Sequence, residues 1–206
     1  MCGGSDTPKY PMKLPTKILA LAALATGLVS VASAATETYA IDPVHSSVAF
    51  KVRHFLTKVP GRFTQFSGTI VVDRDNLENS TVSAVIDVNS VDTDNEKRNG
   101  HLKSPDFFNV AQFGTITFKS TSWKKTGENA FDVTGDLTIH GVTKSVVLKV
   151  DLLGFGPGMM GAQLAGFDAT TTLDRDDFGV KGPAMLGTAL GSEVAVSISI
   201  EADLKK

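Results

Sequence analysis

The sequence predicts an all-β protein of about eight antiparallel strands, with one helix inserted between the third and the fourth strand. Apolar and polar side chains alternate along most of the chain, most clearly at 194–201, and this period of two is typical of half-buried strands. Short turn signals such as His140-Gly141 separate the alternating runs. One segment alone, 91–108, has the features of a helix.

Eight runs carry the strand pattern, and most follow one another through short connections. They cover residues 48–53, 66–72, 82–88, 115–120, 131–139, 146–152, 167–173 and 194–201. Pro60-Gly61 is interpreted as a turn, 154–161 as a glycine-rich loop, and 174–192 as irregular. The loop at 154–161 contains two methionines and a phenylalanine. It is therefore either a loop that touches a membrane or gates a ligand, or a hairpin loop folded onto the strands or onto a partner subunit.

The helix is predicted from its two boundaries. Thr93 and Glu96 have the spacing of a capping box, in which each side chain satisfies a free backbone N–H at a helix start. Pro105 disfavours helical backbone at the residue before it and therefore ends the helix. The aromatic residues Phe107 and Phe108 follow. We expect this segment to close one end of the strand assembly, where the two rings find an apolar environment.

Strands of this kind bury one face each, either in a two-sheet sandwich or in a closed barrel. A barrel of about eight strands can enclose one small ligand if bulky side chains do not fill it. The inferred inner face includes the small residues Gly68, Ala84, Gly135 and Ala169. The pattern is therefore compatible with an apolar cavity and equally with an ordinary packed core. The candidate ligand-binding residues of this face are Val48, Phe50, Val52, Phe66, Ile70, Val82, Ile86, Val88, Ile116, Phe118, Val133, Leu137, Val146, Leu148, Phe167, Val196 and Ile198.

Five polar residues are candidates for binding the polar head of a ligand. They are His54, Asp92, Arg98, His101 and Asp106. Arg98 and His101 are three residues apart and share a helix face, from which they could hydrogen-bond a phenol, a quinone or a phosphate. The alternative is that Arg98 and Asp92 only brace the helix and that His54 is a structural residue at a strand end.

Composition and motifs argue against several other function classes. The chain has 20 Lys and Arg against 22 Asp and Glu and no basic run, so nucleic acid is not expected as a partner. Cys2 is the only cysteine, and the four histidines match no metal-binding spacing. The chain also lacks a Gly-x-Ser-x-Gly motif and a phosphate-binding glycine loop. We therefore expect no metal, no cofactor and no enzymatic activity.

Residues 1–34 have the features of a cleavable signal peptide. A basic stretch precedes an apolar run at 18–29, and Ala32-Ser33-Ala34 provides a small-x-small cleavage site. Residues 1–11 are an upstream artefact of the reading frame if the second methionine is the true start. The domain is then 35–206, and we expect it in the periplasm, because the apolar run is short for a membrane span.

A set of motifs, in this order and spacing, resembles the YceI-like proteins, which are secreted bacterial barrels of lipocalin-like fold. The motifs are Ile41-Asp42 and His45-Ser46; Ser90-Val91-Asp92-Thr93 with Arg98, His101-Leu102 and Asp106-Phe107; Thr117-Phe118-Lys119-Ser120-Thr121; Gly135-Asp136-Leu137-Thr138 with Gly141-Val142-Thr143-Lys144; and Ala165-Gly166-Phe167 with Asp177-Phe178-Gly179. The resemblance covers all of 35–206. Gly100 departs from it, because the resemblance implies a charged or polar residue at this position of the helix. Glycine there disfavours the helix by about 1 kcal/mol relative to alanine.

The resemblance implies an eight-stranded lipocalin-like barrel with a helical cap and an apolar tunnel for long amphiphiles, polyisoprenoids above all. We therefore expect a periplasmic carrier of an isoprenoid-type or quinone-like lipid, with transient membrane contact. Some relatives are dimers, so a homodimer is also expected. Two alternatives stay open: an enzyme acting on a bound lipid, and a stress-related lipid-scavenging protein that works through partner interaction.

Overall fold

The computed structural model describes residues 1–4 and 36–205, so the apolar run and cleavage site of the expected signal peptide lie outside the described residues. The strands are β1 (Thr36–Ile41), β2 (Ser47–His54), β3 (Thr57–Phe63), β4 (Phe66–Asp73), β5 (Thr81–Asp87), β6 (Val91–Asp92), β7 (Thr115–Lys125), β8 (Ala130–Ile139), β9 (Val142–Pro157), β10 (Gln163–Asp174) and β11 (Leu190–Leu204). One α-helix, α1 (Glu96–Lys103), lies between β6 and β7. No helix within the described ranges combines the length and apolar character needed to cross a bilayer.

The strands form the wall of a closed antiparallel barrel. β1 and β2 both pair with β11, so together they act as one interrupted wall strand. In the same way, β3 and β4 together form a second interrupted wall strand, and β5 and β6 together form a third. The five single strands β7 to β11 bring the number of wall strands to eight and complete the ring. The pairing of β1 with β11 closes it, extended by a hydrogen bond from the Lys205 N–H to the Thr38 carbonyl at 2.7 Å. The prediction of an eight-stranded lipocalin-like barrel is confirmed.

The cap that starts α1 differs from the predicted one. Asn95 is the N-cap, and its side chain accepts a hydrogen bond from the Arg98 N–H at 3.0 Å. The capping box of Thr93 and Glu96 was therefore a wrong prediction. The helix ends two residues before Pro105, as the restriction on residues preceding proline predicts.

Two loop predictions are also wrong. Pro60-Gly61 lies inside β3, where Pro60 is opposite Lys51 of β2. β6 pairs with β3 only at Arg62 and Phe63, so the other edge of β3 is open at Pro60, and proline is tolerated at such an edge. Half of the segment 154–161 is strand, because β9 continues to Pro157, and a short 3-10 turn at Met159–Gly161 follows.

Buried apolar side chains form two clusters, one toward each end of the barrel. The cluster that we call the aromatic end lies beneath the short β4–β5, β7–β8 and β9–β10 turns, and it includes Tyr39, Trp123, Phe131 and Phe167. The cluster that we call the helical end lies beneath α1 and the β10–β11 connection, and it includes Phe63, Phe107, Ile116 and Phe178. Phe118 and Ile198 pack against both clusters and so mark the middle of the barrel.

Candidate ligand cavity

A cavity of about 450 Å³ runs through the barrel interior between the two clusters. This volume falls within the range of roughly 300–1,000 Å³ occupied by small-molecule sites. Inward-facing side chains such as Val82, Leu148 and Val196 are only partly buried although they lie inside the wall. Their exposure has a simple cause, since they border an open space rather than a filled core. The interior is therefore hollow, which resolves the alternative left open by the strand pattern.

The structure places sixteen of the seventeen predicted inner-face residues in the cavity lining. Val88 is the exception. It is 1% exposed and packs in the helical-end cluster, because 88–90 forms a 3-10 turn that breaks the strand alternation. The alternation therefore predicts which side chains face inward, while the ligand that they contact stays a matter of proposal.

Several lining residues were missed because their segments have no alternating pattern. Phe178, Val180, Leu186 and Leu190 come from the β10–β11 connection and its junction with β11. This connection was interpreted as irregular, and irregular backbone carries no periodic signal that distinguishes inside from outside. Its three Gly residues and its run of apolar side chains were the only available signal.

The small inner residues play two different roles. At Gly135 the space is already taken, since a Cβ there would lie 2.4 Å from Cζ of the Phe118 ring. Gly61 likewise receives the ring of Phe50, at 2.3 Å. Ala84, in contrast, borders the open cavity. Ala84 therefore leaves space open in the cavity, whereas these two glycines make room for aromatic rings.

Only seven lining residues have polar side chains. They are His54, Ser67, Thr93, Arg98, His101, Thr171 and Arg175. Five of the seven belong to the helical end, since they lie on α1, on the segment leading into it, at the end of β2 or just after β10. No carboxylate is among the lining residues of the described chain. The cavity thus has an apolar interior and a cationic and histidine-containing end.

Arg98 is held at the helical end by its neighbour Thr93. Its Nε donates to the Thr93 hydroxyl at 2.8 Å, and its Nη2 donates to the Thr93 carbonyl at 2.6 Å. Thr93 is itself buried, and its backbone N–H donates to Asn99 at 2.9 Å. Arg98 therefore braces the start of α1 while it borders the cavity, and its role in binding the head of a ligand stays a prediction.

His101 and His54 border the cavity in more exposed settings. The Nε2 of His101 lies 2.9 Å from a carboxylate oxygen of Asp106, and its ring packs edge-on against Phe107 with centroids 5.0 Å apart. His54 packs edge-on against Phe55 at 4.8 Å. Asp106 does not line the cavity but orients a histidine that does.

Asp92 lies outside the cavity lining, in a network on the surface. It forms an ion pair with Arg62 and accepts hydrogen bonds from the Asp94 N–H at 2.9 Å and from the Asn99 amide at 3.2 Å. The backbone donor of Asp94 is the main reason why the pKa of Asp92 lies below its usual range, with Asn99 and Arg62 adding to it. These contacts assign Asp92 to the support of the segment before α1.

Arg175 is a lining residue that sequence reasoning did not single out. Its guanidinium donates to the carbonyls of Val180 at 2.7 Å and Gly191 at 2.9 Å, and at 3.4 Å to that of Leu190. Its side chain is only 12% exposed. Five donors in a planar fork suit this arrangement. Arg175 therefore ties the β10–β11 connection down beside the cavity.

The opposite end of the cavity is closed by packed aromatic rings. Trp123 lies 5.8 Å from Phe131 and 6.2 Å from Phe167, centroid to centroid. Phe155 packs edge-on against Phe167 at 6.4 Å, and the guanidinium of Arg74 covers Phe155 at 3.8 Å. Offset and edge-on pairs of this kind are favourable beyond their buried area. A tail in the cavity would end against this cluster.

A group of possible metal ligands lies elsewhere, where β1 and β2 meet. Asp42, His45 and Glu201 bring one ligand atom each within 4.8 Å of one another. The His45 Nδ1 is 2.6 Å from Asp42, and this hydrogen bond raises the pKa of His45 and lowers that of Asp42. Sequence reasoning assigned nothing to His45, because it has the position of a loop residue. The contacts describe an exposed ion pair.

The chain matches the YceI-like domain family over residues 39–202. A UPF0312 protein of Ectopseudomonas mendocina (strain ymp) is 44% identical over 172 residues, which cover 80% of this chain and 90% of the relative. A UPF0312 protein of Pseudomonas aeruginosa (strain LESB58) is 39% identical over 191 residues, covering 90% of this chain and 96% of the relative.

Solved structures resemble the fold as well. The Campylobacter jejuni YCEI protein has a TM-score of 0.66 and 28% identity, covering 73% of this chain and 88% of that chain. Burkholderia cenocepacia BcnA has a TM-score of 0.72 and 24% identity, covering 78% and 98%. A polyisoprenoid binding domain from Saccharophagus degradans has a TM-score of 0.63 and 18% identity, covering 81% and 98%. The family match and the curated relatives confirm the resemblance found in the sequence motifs, and the chain belongs to the YceI-like family.

Proposed function

We propose that the protein is a binding and carrier protein that holds a long-chain isoprenoid-type amphiphile in its barrel. The observation that carries this proposal is the cavity itself, which is apolar along its length and polar at one end. An amphiphile with one polar head and one long tail has the same distribution of polarity. The head would lie at the helical end and the tail would point to the aromatic end.

Burial of the tail accounts for most of the expected affinity. Each methylene removed from water contributes about 0.8 kcal/mol, so ten methylenes contribute about 8 kcal/mol before the cost of immobilising the ligand is subtracted. A single hydrogen bond to a charged group contributes about 1.5–3 kcal/mol. We therefore infer that the tail sets the strength of binding and that Arg98, His101 and His54 select the head.

The name of one structural neighbour supports the ligand class. The Saccharophagus degradans domain is described as polyisoprenoid binding, and its barrel superposes on this one over most of both chains. The extension of that ligand class to this chain is part of our proposal. A quinone-like lipid fits the same polarity, because its ring oxygens accept hydrogen bonds from arginine and histidine.

The lining favours binding over catalysis. General acid–base chemistry needs a titratable group within reach of the reacting bond, and the titratable lining residues, His54, Arg98, His101 and Arg175, all lie at the helical end. Arg98 and Arg175 are engaged with backbone carbonyls. We therefore propose a passive role in which the lipid leaves the barrel chemically unchanged.

The location and assembly of the carrier are part of the same proposal. The signal-peptide features precede residue 39, where the family match begins. We propose that cleavage after Ala34 releases the barrel into the periplasm. A homodimer stays a prediction, to be measured as the molar mass of the purified protein.

Extraction of the purified protein with organic solvent, followed by mass spectrometry, tests the function. We expect one class of long-chain isoprenoid lipid, present at up to one molecule per barrel and unmodified. Protein that returns no lipid, and that also fails to bind added polyprenols, would contradict the carrier function. A recovered lipid that is chemically altered relative to the lipid supplied would favour the enzyme.

The Ala84→Phe variant tests whether the tail occupies the cavity. Ala84 borders the cavity halfway along β5, between Val82 of the aromatic end and Ile86 of the helical end. A ring there should weaken binding of the longest polyprenols about tenfold, or about 1.4 kcal/mol, and leave short ones nearly unaffected. Val85→Phe is the matched control, because Val85 is 42% exposed on the outside of the same strand. An unchanged length preference in Ala84→Phe would place the tail elsewhere.

A further inference from the structure

An exposed apolar tip projects beside the helical end of the cavity. Phe55 and Leu56 form the turn between β2 and β3, and they are 62% and 98% exposed. The Phe55 N–H donates to the Ala189 carbonyl at 2.6 Å, so the turn lies against the end of the β10–β11 connection. Met185, in that connection, is 89% exposed. We call Phe55, Leu56 and Met185 the docking rim.

The two chain segments that carry the docking rim are cationic, although the whole protein is mildly acidic and Asp176 and Asp177 directly precede the second segment. Residues 43–72 contain no Asp or Glu, and residues 178–192 contain none either. These segments carry Lys51, Arg53, Lys58, Arg62 and Lys181. Arg62 is paired with Asp92 and Asp94, while the remaining four have no carboxylate within ion-pair distance in the part of the chain that the structure describes. The rim therefore combines apolar side chains with unneutralised positive charge.

The docking rim is continuous with the cavity. His54 precedes Phe55 directly and lines the cavity, and Leu186 follows Met185 and lines it too. Leu190, which pairs with His54 across β11 and β2, is also a lining residue. A molecule leaving the helical end on this side would pass the exposed apolar side chains before it reached water.

We propose that the docking rim inserts into the surface of a bilayer that contains anionic lipids, so that the amphiphile passes between bilayer and cavity without crossing water. This inference rests on the proposed function. Apolar side chains at a protein tip bind the boundary between headgroups and acyl chains, and nearby Lys and Arg residues are attracted by anionic headgroups. The charge of the rim therefore selects an anionic lipid surface over an uncharged one.

The opposite end of the barrel also exposes apolar side chains, and it carries both cations, such as Lys124 and Lys125, and carboxylates. Met159 and Met160 are 88% and 102% exposed in the β9–β10 turn, and the sequence made this turn a candidate for membrane contact. The neighbouring β4–β5 turn carries Asp75 and Glu78, and it lies at the closed aromatic end. The structure therefore assigns the membrane contact to the helical end, and the two methionines provide a matched control.

Sedimentation with lipid vesicles tests the proposal on the whole exported domain. We expect the wild type to bind vesicles of equal parts phosphatidylcholine and phosphatidylglycerol, and to bind pure phosphatidylcholine much more weakly. The F55S/L56S variant should bind the mixed vesicles about tenfold more weakly or worse. The K51E/K58E variant should lose the preference for the anionic vesicles, whereas M159S/M160S should behave like the wild type.

Four results would overturn the proposal. Wild-type protein that does not bind anionic vesicles, or that binds both vesicle types equally, would do so. An equal loss of binding in M159S/M160S would mean that the contact is not specific to the rim. A wild-type dimer that F55S/L56S converts to monomer, with vesicle binding unchanged, would assign the rim to a second copy of the chain.

A second measurement separates this inference from the carrier function. Binding of a polyprenol is measured in solution without vesicles, for the wild type and for F55S/L56S. Equal polyprenol binding by the two proteins, together with slower polyprenol transfer to vesicles by the variant, supports the proposal. A wild type that binds polyprenol in solution but does not bind vesicles rejects the membrane contact alone. A wild type that binds vesicles but no polyprenol rejects the carrier function.

Discussion

At the aromatic end the strands are joined by short turns and their rings pack against one another, whereas at the helical end they are joined by α1 and by a long connection that borders the cavity. The aromatic end buries Tyr39 and Phe131 almost completely, at 2% and 1% exposure. The helical end holds most of the polar lining and the exposed Leu56. The same set of wall strands thus supports a tightly packed end and a more open end.

The difference indicates a division of roles along one barrel. We expect well-packed side chains at the aromatic end to contribute strongly to the free energy of unfolding, since each loses its contact with water and gains close neighbours. Long connections are tolerated at the helical end because they are positioned by a rigid wall, which is the usual location of binding residues. Four changes test this division, in order of decreasing expected effect.

Phe131→Ala should cause the largest loss of stability. Truncation of a fully buried Phe typically costs about 3–5 kcal/mol, and the ring of Phe131 also packs against Trp123. Urea unfolding followed by circular dichroism measures the change. Phe108→Ala at the helical end is the comparison, because Phe108 is only partly buried. Equal losses at the two ends would contradict the division of roles.

Arg175→Lys should loosen the helical end while leaving the aromatic end intact. A lysine cannot replace the planar fork that reaches the carbonyls of Val180 and Gly191. The loss should be about 1.5–3 kcal/mol, confined to faster amide hydrogen exchange in 180–191 and weaker retention of bound lipid. Faster exchange spread evenly over β7 and β8 would show that the two ends are not independent.

Tyr39→Phe should have a moderate effect that depends on alkaline pH. Burial, and then the hydrogen bond to Glu37, raise the pKa of Tyr39 to about 12. A raised pKa in the folded state means that the stabilisation is present below the unfolded pKa of about 10 and is lost as the pH rises through 12. Near neutral pH the variant should be less stable by about 1 kcal/mol, and its unfolding should lack this alkaline dependence. An identical alkaline dependence in the variant would contradict the assignment.

His45→Gln should have the smallest effect, at the junction between β1 and β2. The hydrogen bond between His45 and Asp42 raises the pKa of His45 and lowers that of Asp42. Stabilisation by a raised His pKa is lost as the pH rises, and stabilisation by a lowered Asp pKa is lost as the pH falls. The pair should therefore matter most between about pH 4 and 6.5, as measured by thermal unfolding of both proteins across that range. A difference that peaks above pH 8 would contradict this account.

The sequence predicted the wall strands well where alternation was long and unbroken. β8 was predicted almost to its ends, because its inward face is buried along most of its length. For β11 only the central part, 194–201, was predicted, whereas the strand runs from Leu190 to Leu204. β3 was missed because Pro60-Gly61 has the composition of a turn, and only the open edge of the sheet makes proline acceptable there. Open edges depend on which strands become neighbours, and no local window of sequence contains that information.

The candidate site was predictable in the same way, strand by strand. The alternation indicated sixteen of the lining residues contributed by the wall but missed others, such as Phe63 of β3 and Trp123 of β7, and the helix pattern indicated Arg98 and His101. Arg175 was out of reach, since its role comes from carbonyls of a connection that folds back on it. For Asp92 the sequence left head binding and bracing of the helix both open, and its ion pair with Arg62, thirty residues away in the chain, agrees with the bracing role.

The closing pair of strands has a practical consequence for experiments on this molecule. β1 begins and β11 ends at the aromatic end, and the Lys205 N–H reaches the Thr38 carbonyl there. A linker, reporter or solid support joined to the barrel at residue 36 or 205 would therefore hold it by its sealed base. The opening would face outward, free for loading, imaging and single-molecule measurements of exchange.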